Sequence, residues 1–452
     1  MPASIMSVIE PENDTFIGRR LGQLSYRENV VRTLLPTAVL RLNCHDLRYW
    51  VCLLVCAVCL RAETPAGSAD RAERLIKSGD RQSALRLLEQ ASDQQPASAE
   101  EHDRIGFLFA VLGRTAESIE HFQKAVAGAP GLAVAHYHLG VAYWLQSNPT
   151  DAIPQLQEAV GLAPNVFDYR LRLGTAFLET SHYAEAVTEL RKATALNASS
   201  GLAWNSLGHA LQQTGDLAAA VEAYRQAVAL NPADDLWRND YGFMLVETLK
   251  PDQALAEFRK ILAHDPANSR VRVNVGYAYL KKGDYALAER EFREALLRDP
   301  SSASGHYDLG IALKQQDKLE AAEKQFQEAI RLEPKLAEAH YTLGITSWQL
   351  GDFPAAIAEM RAAIAIRPEY AEAHYMLGTT LKQNGDLDGA IPELREAIRL
   401  DPETPGPFNT LGQILRTRGD KKESAEMFAK AAELKRRKES QLTNALGQGM
   451  RR

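Results

Sequence analysis

Five histidines, His102, His136, His306, His340 and His374, stand at one phase of a 34-residue spacing, and histidine in a regular array invites a metal-centre reading. A bound ion needs its nitrogen ligands about 2 Å away, whereas residues at one phase of neighbouring packed helices lie about 10 Å apart. The five are therefore expected to pack between helices, and no metal ligand is assigned. Serine, histidine and aspartate are plentiful enough to suggest nucleophilic catalysis, but no strand-turn-helix element or loop cluster gathers them at one point. No catalytic or cofactor-binding residue and no cofactor are assigned, and the chain is expected not to be an enzyme.

All four cysteines, Cys44, Cys52, Cys56 and Cys59, precede residue 60, so the main body carries neither a disulfide framework nor a thiolate metal site. Three of them lie in the apolar run from Tyr49 to Leu60, flanked by Arg48 and Arg61 and followed by Ala62, Glu63 and Thr64. A helix needs about 20 apolar residues to cross a bilayer, and this run is shorter. A basic flank, a short apolar stretch and a small residue after it match a secretory signal. Segment 49–62 is expected to direct export to the periplasm or envelope, with membrane contact only through residues 49–60. An uncleaved membrane anchor and a buried helix of a cytoplasmic extension are the alternatives. Residues 1–48 are longer than a usual leader, show no repeat register, and are expected to be poorly ordered; translation starting later is one explanation. Arg19 and Arg20 are not followed directly by an apolar run, so they do not read as a twin-arginine signal. Val55 and Val58, before Cys56 and Cys59, are larger than lipoprotein processing accepts.

The chain has 452 residues, 45% of them hydrophobic and 24% charged, which is enough apolar material for a buried core and too much for a disordered chain. The net charge of −6 comes from interspersed acids and bases, so no broad basic field is available to hold phosphates and nucleic acid is not an expected partner.

The organising feature is a repeat. Gly106, Gly140, Gly174, Gly208, Gly242, Gly276, Gly310, Gly344, Gly378 and Gly412 recur every 34 residues without insertion. With these glycines at the eighth position, ten units run from Ala99 to Lys438. Alanine fills the twenty-seventh position of nine units, Ile261 being the exception, and proline the thirty-second of eight. Residues 65–98 form a degenerate first unit that keeps Ala84, Ala91 and Pro96 in phase but has Ala72 where the glycine belongs. Residues 439–452 are the end of the last helix and a tail.

Each unit reads as two antiparallel helices, because apolar residues recur three and four apart on either side of a short break. In the unit from Gly201 to Asp234, Leu202, Trp204, Leu207 and Leu211 belong to the first helix, Gly215 ends it and Asp216 opens the second. The Gly-Asp pair recurs at 79–80, 283–284, 351–352, 385–386 and 419–420. A glycine inside a helix costs about 1 kcal/mol relative to alanine, so ten at one phase imply a close approach of the paired helices that offsets the cost. One unit cannot bury its apolar faces alone, and stacking supplies them with neighbours.

These residues resemble the tetratricopeptide repeats, as the unit from Ser269 to Ser302 shows with Val275, Gly276, Tyr279, Ala288, Phe292, Ala295 and Pro300. The resemblance covers about three-quarters of the chain. Departures are local: Asn197–Ala198 stands where Asn-Pro is usual, and Pro154 and Pro392 fall early in second helices, where bent opening turns are expected. The resemblance implies an all-α, right-handed α-solenoid, a superhelix whose concave wall is made by the second, fifth, sixth, ninth, twelfth and thirteenth positions of each unit. Those positions nominate a groove of Phe107, Tyr137, Trp144, Asn205, His209, Asn239, Phe243, Asn274, Tyr277, Tyr307, Tyr341, Trp348, Tyr375 and Asn409, with Lys281, Asp308, Lys314, Thr342, Lys382 and Gln413 as further polar companions. Rings supply contact area and amides satisfy a ligand's backbone, which suits an extended peptide or an amphipathic helix; packing of individual rings between adjacent first helices is the competing reading.

The expected function is a protein- or peptide-binding scaffold. A chaperone-type carboxylate clamp needs Lys and Asn at set positions in three successive units; Asn239 and Asn274 stand in adjacent units but no fifth-position lysine is present, so chaperone-tail binding is only a remote option. A recognition partner for a separately encoded enzyme such as a glycosyltransferase, and a self-assembling structural protein, are the rivals; oligomeric state is left open. The basic run Lys435, Arg436, Arg437 and Lys438 reads as a solvated capping helix, with weak contact to anionic lipid or a partner as the alternative.

Overall fold

A computed structural model describes residues 67–93 and 98–449, and the expectations for 1–48 and 49–62 lie outside these residues. Every regular element among the described residues is an α-helix. The chain divides into two compact bodies between Thr248 and Leu249. The first holds α1 (Ser68–Lys77), α2 (Arg81–Asp93), α3 (Ala99–Val111), α4 (Thr115–Gly128), α5 (Ala133–Leu145), α6 (Pro149–Leu162), α7 (Phe167–Glu179), α8 (Tyr183–Leu196), α9 (Gly201–Gln213), α10 (Leu217–Leu230) and α11 (Asp235–Glu247). The second holds α12 (Pro251–Leu262), α13 (Ser269–Lys282), α14 (Tyr285–Leu296), α15 (Ala303–Lys314), α16 (Leu319–Leu332), α17 (Ala337–Leu350), α18 (Phe353–Ile366), α19 (Ala371–Gln383), α20 (Leu387–Leu400), α21 (Pro405–Arg418) and α22 (Lys421–Gly449). Within each body consecutive helices pack in pairs, each pair leans on the next, and first helices touch first helices.

The eighth-position glycines show their reason directly. A methyl group at Gly276 would stand 2.6 Å from a ring carbon of Phe292, at Gly310 2.5 Å from Phe326, and at Gly208 2.8 Å from Tyr224. In each case the intruded side chain lies sixteen residues on, in the second helix of the same pair. The glycine is the socket into which that large side chain packs. Phe292, Phe326 and Tyr224 are fully buried as a result, each burial contributing about 1.5–3 kcal/mol. The twenty-seventh position is closed in the same way, with Ala125, Ala159, Ala193, Ala227 and Ala329 wholly inaccessible and Ile261 equally so.

The turn between paired helices places one residue in the left-handed region in every unit. Glycine occupies it at Gly79, Gly113, Gly215, Gly283, Gly351, Gly385 and Gly419, and non-glycine residues at Ser147, Ser181, Leu249 and Asp317. Asp216, Asp352 and Asp386 then accept a hydrogen bond from the amide three residues on and cap the second helix. Asp284 makes no such cap; its carboxylate lies 3.7 Å from Lys282 Nζ. The helices containing Pro154 and Pro392 run unbroken through them.

Candidate peptide-binding face

Position four of the units ties neighbouring pairs together. His136 Nε2 donates to the Pro130 carbonyl at 2.9 Å, and His306, His340 and His374 repeat the bond to Pro300, Pro334 and Pro368. Arg170, Arg238 and Arg272 reach Pro164, Pro232 and Pro266, and Trp204 donates its indole N–H to Ala198, where the proline is missing. The far side of each ring or guanidinium meets the second helix of its own pair: Gln155, Glu189, Glu291, Gln325, Glu359 and Glu393. His340 donates from both nitrogens, to a carbonyl and to the Glu359 carboxylate, so its pKa is raised above the usual histidine value, chiefly by that carboxylate bond. The in-phase histidines are structural ties.

His102 is the variant. Its Nδ1 meets Nδ1 of His121 at 3.1 Å, and His121 Nε2 bonds Ser92 Oγ at 2.8 Å. Burial first, and the neighbouring His102 second, bring the His121 pKa down to about 4. A serine bonded to a histidine is the start of a nucleophile-base pair, but a base with that pKa is a poor proton acceptor at neutral pH.

The nominated groove residues separate into two groups. Phe243, Tyr277, Tyr307 and Tyr341 are buried, as are Asn205, His209, Asn239 and Asn274. His209 lies 3.3 Å from the Asp240 carboxylate of the next first helix and meets the Tyr224 ring edge-on, and Tyr307 reaches Thr342 across α15 and α17 at 3.4 Å. His209 and Tyr307 thereby join first helices to each other, and the buried rings leave little area for a ligand. Phe107, Tyr137, Trp144, Trp348 and Tyr375 are half-buried, and Asn409 is exposed.

In the first body the open rings form a cluster. Tyr137 stacks on Tyr169 with centroids 4.6 Å apart, and Phe107 and Tyr137 both flank the imidazole of His138, whose Nδ1 is 2.8 Å from the buried Asp103 carboxylate. In the second body Trp348 donates its indole N–H to Gln383 and Tyr341 packs on Tyr370 at 4.8 Å. Sequence reasoning missed Tyr169 and Tyr370 because they stand at the third and thirty-fourth positions, outside the six expected on the wall. Their signal was present as aromatic residues nearly one repeat beyond Tyr137 and Tyr341. Asp308 is buried, one of its oxygens has no partner, and burial holds its carboxyl well above the usual carboxylate range.

Family profiles described as "Tetratricopeptide repeat" match residues 69–133, 108–166, 171–235, 307–371, 341–405 and 375–440, and a second profile of that description matches 245–307. No curated protein matches the chain. Among solved structures, the chain is similar to MamA from Desulfovibrio magneticus RS-1 at 27% identity, covering 37% of this chain and 95% of that one with a TM-score of 0.36. It is also similar to the APC/C hetero-tetramer Cut9-Hcn1, at 13% identity, 77% and 83% coverage and a TM-score of 0.46. A third likeness is to human IFIT1, solved as a dimer with PPP-AAAA, at 16% identity, 77% and 93% coverage and a TM-score of 0.42. With the glycine sockets, the paired helices and the profiles covering well over half of its length in agreement, the chain belongs to the tetratricopeptide repeat family.

Proposed function

We propose that the chain is a non-enzymatic scaffold that holds a segment of another protein against the face formed by its first helices. The observation that carries this reading is the set of half-buried rings on the first helices, Phe107, Tyr137 and Trp144 in the first body and Trp348 and Tyr375 in the second. A ring with one edge packed is already immobilised, so its open face offers apolar contact area at little further entropy cost. The backbone amides of these helices are taken up internally, so recognition falls to side chains, as when a peptide lies in a groove.

The test is a displayed library of random twelve-residue peptides panned on the full-length chain, with selected peptides re-measured by fluorescence anisotropy on Trp144→Ala and Trp348→Ala. A buried tryptophan anchor contributes roughly 2 kcal/mol or more, so at least one of the two variants is expected to weaken the selected peptides about thirtyfold. No enrichment, or equal binding by both variants, would overturn the reading. Turnover by the purified chain would contradict its non-enzymatic part.

Export belongs to the same proposal. Segment 49–62 supports it through its basic flanks and short apolar core. Native protein whose N-terminal sequence starts shortly after Ala62 is the expected result, and native protein starting near Met1 would count against cleavage.

A further inference from the structure

In the second body, α13 touches α15, α17 touches α19 and α19 touches α21, with the Tyr307–Thr342 contact bridging α15 and α17. The last turns of these first helices carry Lys314, Lys382 and Arg416 at one repeat position, with Trp348 at that position on α17 and Lys281 one residue further along on α13. Several cations elsewhere in this body sit on carboxylates: Arg293 and Lys318 on Glu289, Arg331 on Glu328, Arg399 on Glu396. The four in the row have no carboxylate partner among the described residues. Lys281 lies 5.1 Å over the Tyr277 ring, Arg416 lies 5.4 Å over Phe428, Lys382 donates to the Gln413 carbonyl oxygen, and the half-buried Lys314 makes no hydrogen bond. Burial without a counter-ion pulls the Lys314 and Lys382 ammonium groups below the usual lysine range. Asp308, on the same helix as Lys314, gives no relief, because its carboxyl is itself buried and held neutral.

We propose that this row is the docking line for an extended acidic polypeptide segment, with carboxylates at every third residue and an apolar side chain at its centre against Trp348. Neighbouring first helices are about 10 Å apart. An extended polyproline-II chain advances about 3.1 Å per residue and returns to the same side every three residues, about 9.3 Å. Carboxylates so spaced meet Lys281 and Lys314 on one side of Trp348, and Lys382 and Arg416 on the other. A nucleic-acid strand, with a phosphate about every 3.4 Å, brings every third charge to a similar spacing but offers no apolar side chain to Trp348, and the RNA arm of the experiment separates the two. The inference rests on the scaffold reading and names the chemistry of its ligand.

A blocked, fluorescein-labelled thirteen-residue peptide with glutamate at its first, fourth, tenth and thirteenth residues, leucine at the seventh and neutral residues elsewhere is titrated against the full-length chain by anisotropy. Binding is expected to weaken about fivefold for each cation removed, the effect of a screened ion pair near the surface. The paired variant Lys314→Gln/Lys382→Gln, and a second pair at the exposed positions, Lys281→Gln/Arg416→Gln, are therefore each expected to lose about 25-fold. Arg331→Gln, inside the second helix α16 and paired with Glu328, serves as the control and is expected to leave the affinity unchanged. A peptide with the same four glutamates adjacent to one another is expected to bind at least about tenfold less tightly. Absence of binding, equal binding by the exposed-position pair, equal binding of the clustered peptide, or tighter binding of a single-stranded RNA of equal charge would each overturn the proposal. Library-selected peptides that depend on Trp348 but ignore both charge variants would remove this inference and leave the scaffold reading standing.

Discussion

The packing account makes a sharp prediction at two glycines of the same phase. A methyl group at Gly310 would sit 2.5, 2.7 and 2.9 Å from three carbons of the Phe326 ring, which is fully buried and has no freedom to retreat. Ordinary carbon contacts are about 3.5–4.0 Å, so ring or helix must move by about 1 Å. Such overpacking costs about 1–3 kcal/mol, against a gain of about 1 kcal/mol in helix propensity from glycine to alanine. Gly310→Ala is therefore expected to destabilise by up to about 2 kcal/mol, or a fall in melting temperature of up to roughly 8 °C for a body of this size. At Gly344 the nearest atoms are Cγ of Met360 at 3.0 Å and the Ala356 carbonyl oxygen at 3.2 Å, a looser fit than at Gly310, so the propensity gain offsets more of the strain and Gly344→Ala is expected to cost less than Gly310→Ala. Circular dichroism melts and urea titrations of both variants, with Phe326→Met added to Gly310→Ala, complete the experiment. The double variant is expected to recover at least half of the loss by coupling between touching residues. Equal effects at the two glycines, or a purely additive double variant, would refute the socket explanation.

Three further outcomes are expected. Leu249 holds a left-handed conformation, φ 57°, while 78% exposed; relieving a cost of about 1–2 kcal/mol against the added unfolded-state freedom of glycine, about 0.5–1 kcal/mol, makes Leu249→Gly stabilising by about 0.5–1 kcal/mol in thermal melts, and a destabilised variant would contradict the strain. His121 binds its proton near pH 4 in the folded chain and near 6.5 when unfolded, so the unfolded state takes up more protons between those values. Stability is whole above about pH 6.5 and falls by roughly 3 kcal/mol as pH drops to 4; His121→Gln is expected to flatten that slope in urea midpoints, and an unchanged slope would exclude this group as its cause. Asp308 runs the opposite way, because its folded carboxyl keeps a proton that the unfolded chain releases near pH 4, so its contribution is full at low pH and lost as pH rises. Asp308→Asn is expected to raise stability at pH 8 relative to pH 4, and equal effects at the two values would contradict the buried neutral acid.

What was legible in the sequence was whatever one residue type alone can satisfy. Only glycine admits Phe326 and its counterparts, so the helix pairing and the family could be read from the spacing of one residue. The left-handed turn is less legible, because Ser147, Ser181, Leu249 and Asp317 adopt it at a cost that composition does not reveal. The tie at position four was hidden for a different reason: histidine, arginine and tryptophan donate to the same carbonyl, so the role repeats while the residue type does not. On the candidate face, position predicts which way a side chain leaves its helix but not whether a neighbour covers it. Tyr307 and Tyr375 share the fifth position, yet the first is buried and the second half-open. Arg416 drew no notice as a groove residue because its lack of a carboxylate partner is a property of the assembled body.

Hydrogen-deuterium exchange of the full-length chain, with and without a peptide selected on it from the displayed library, addresses the binding face most directly. The account predicts slowed exchange in first helices, α5 and α7 of the first body or α15, α17 and α19 of the second, with their paired second helices unchanged. Protection confined to second helices or to the turns, with the first helices exchanging as in the free chain, would contradict it.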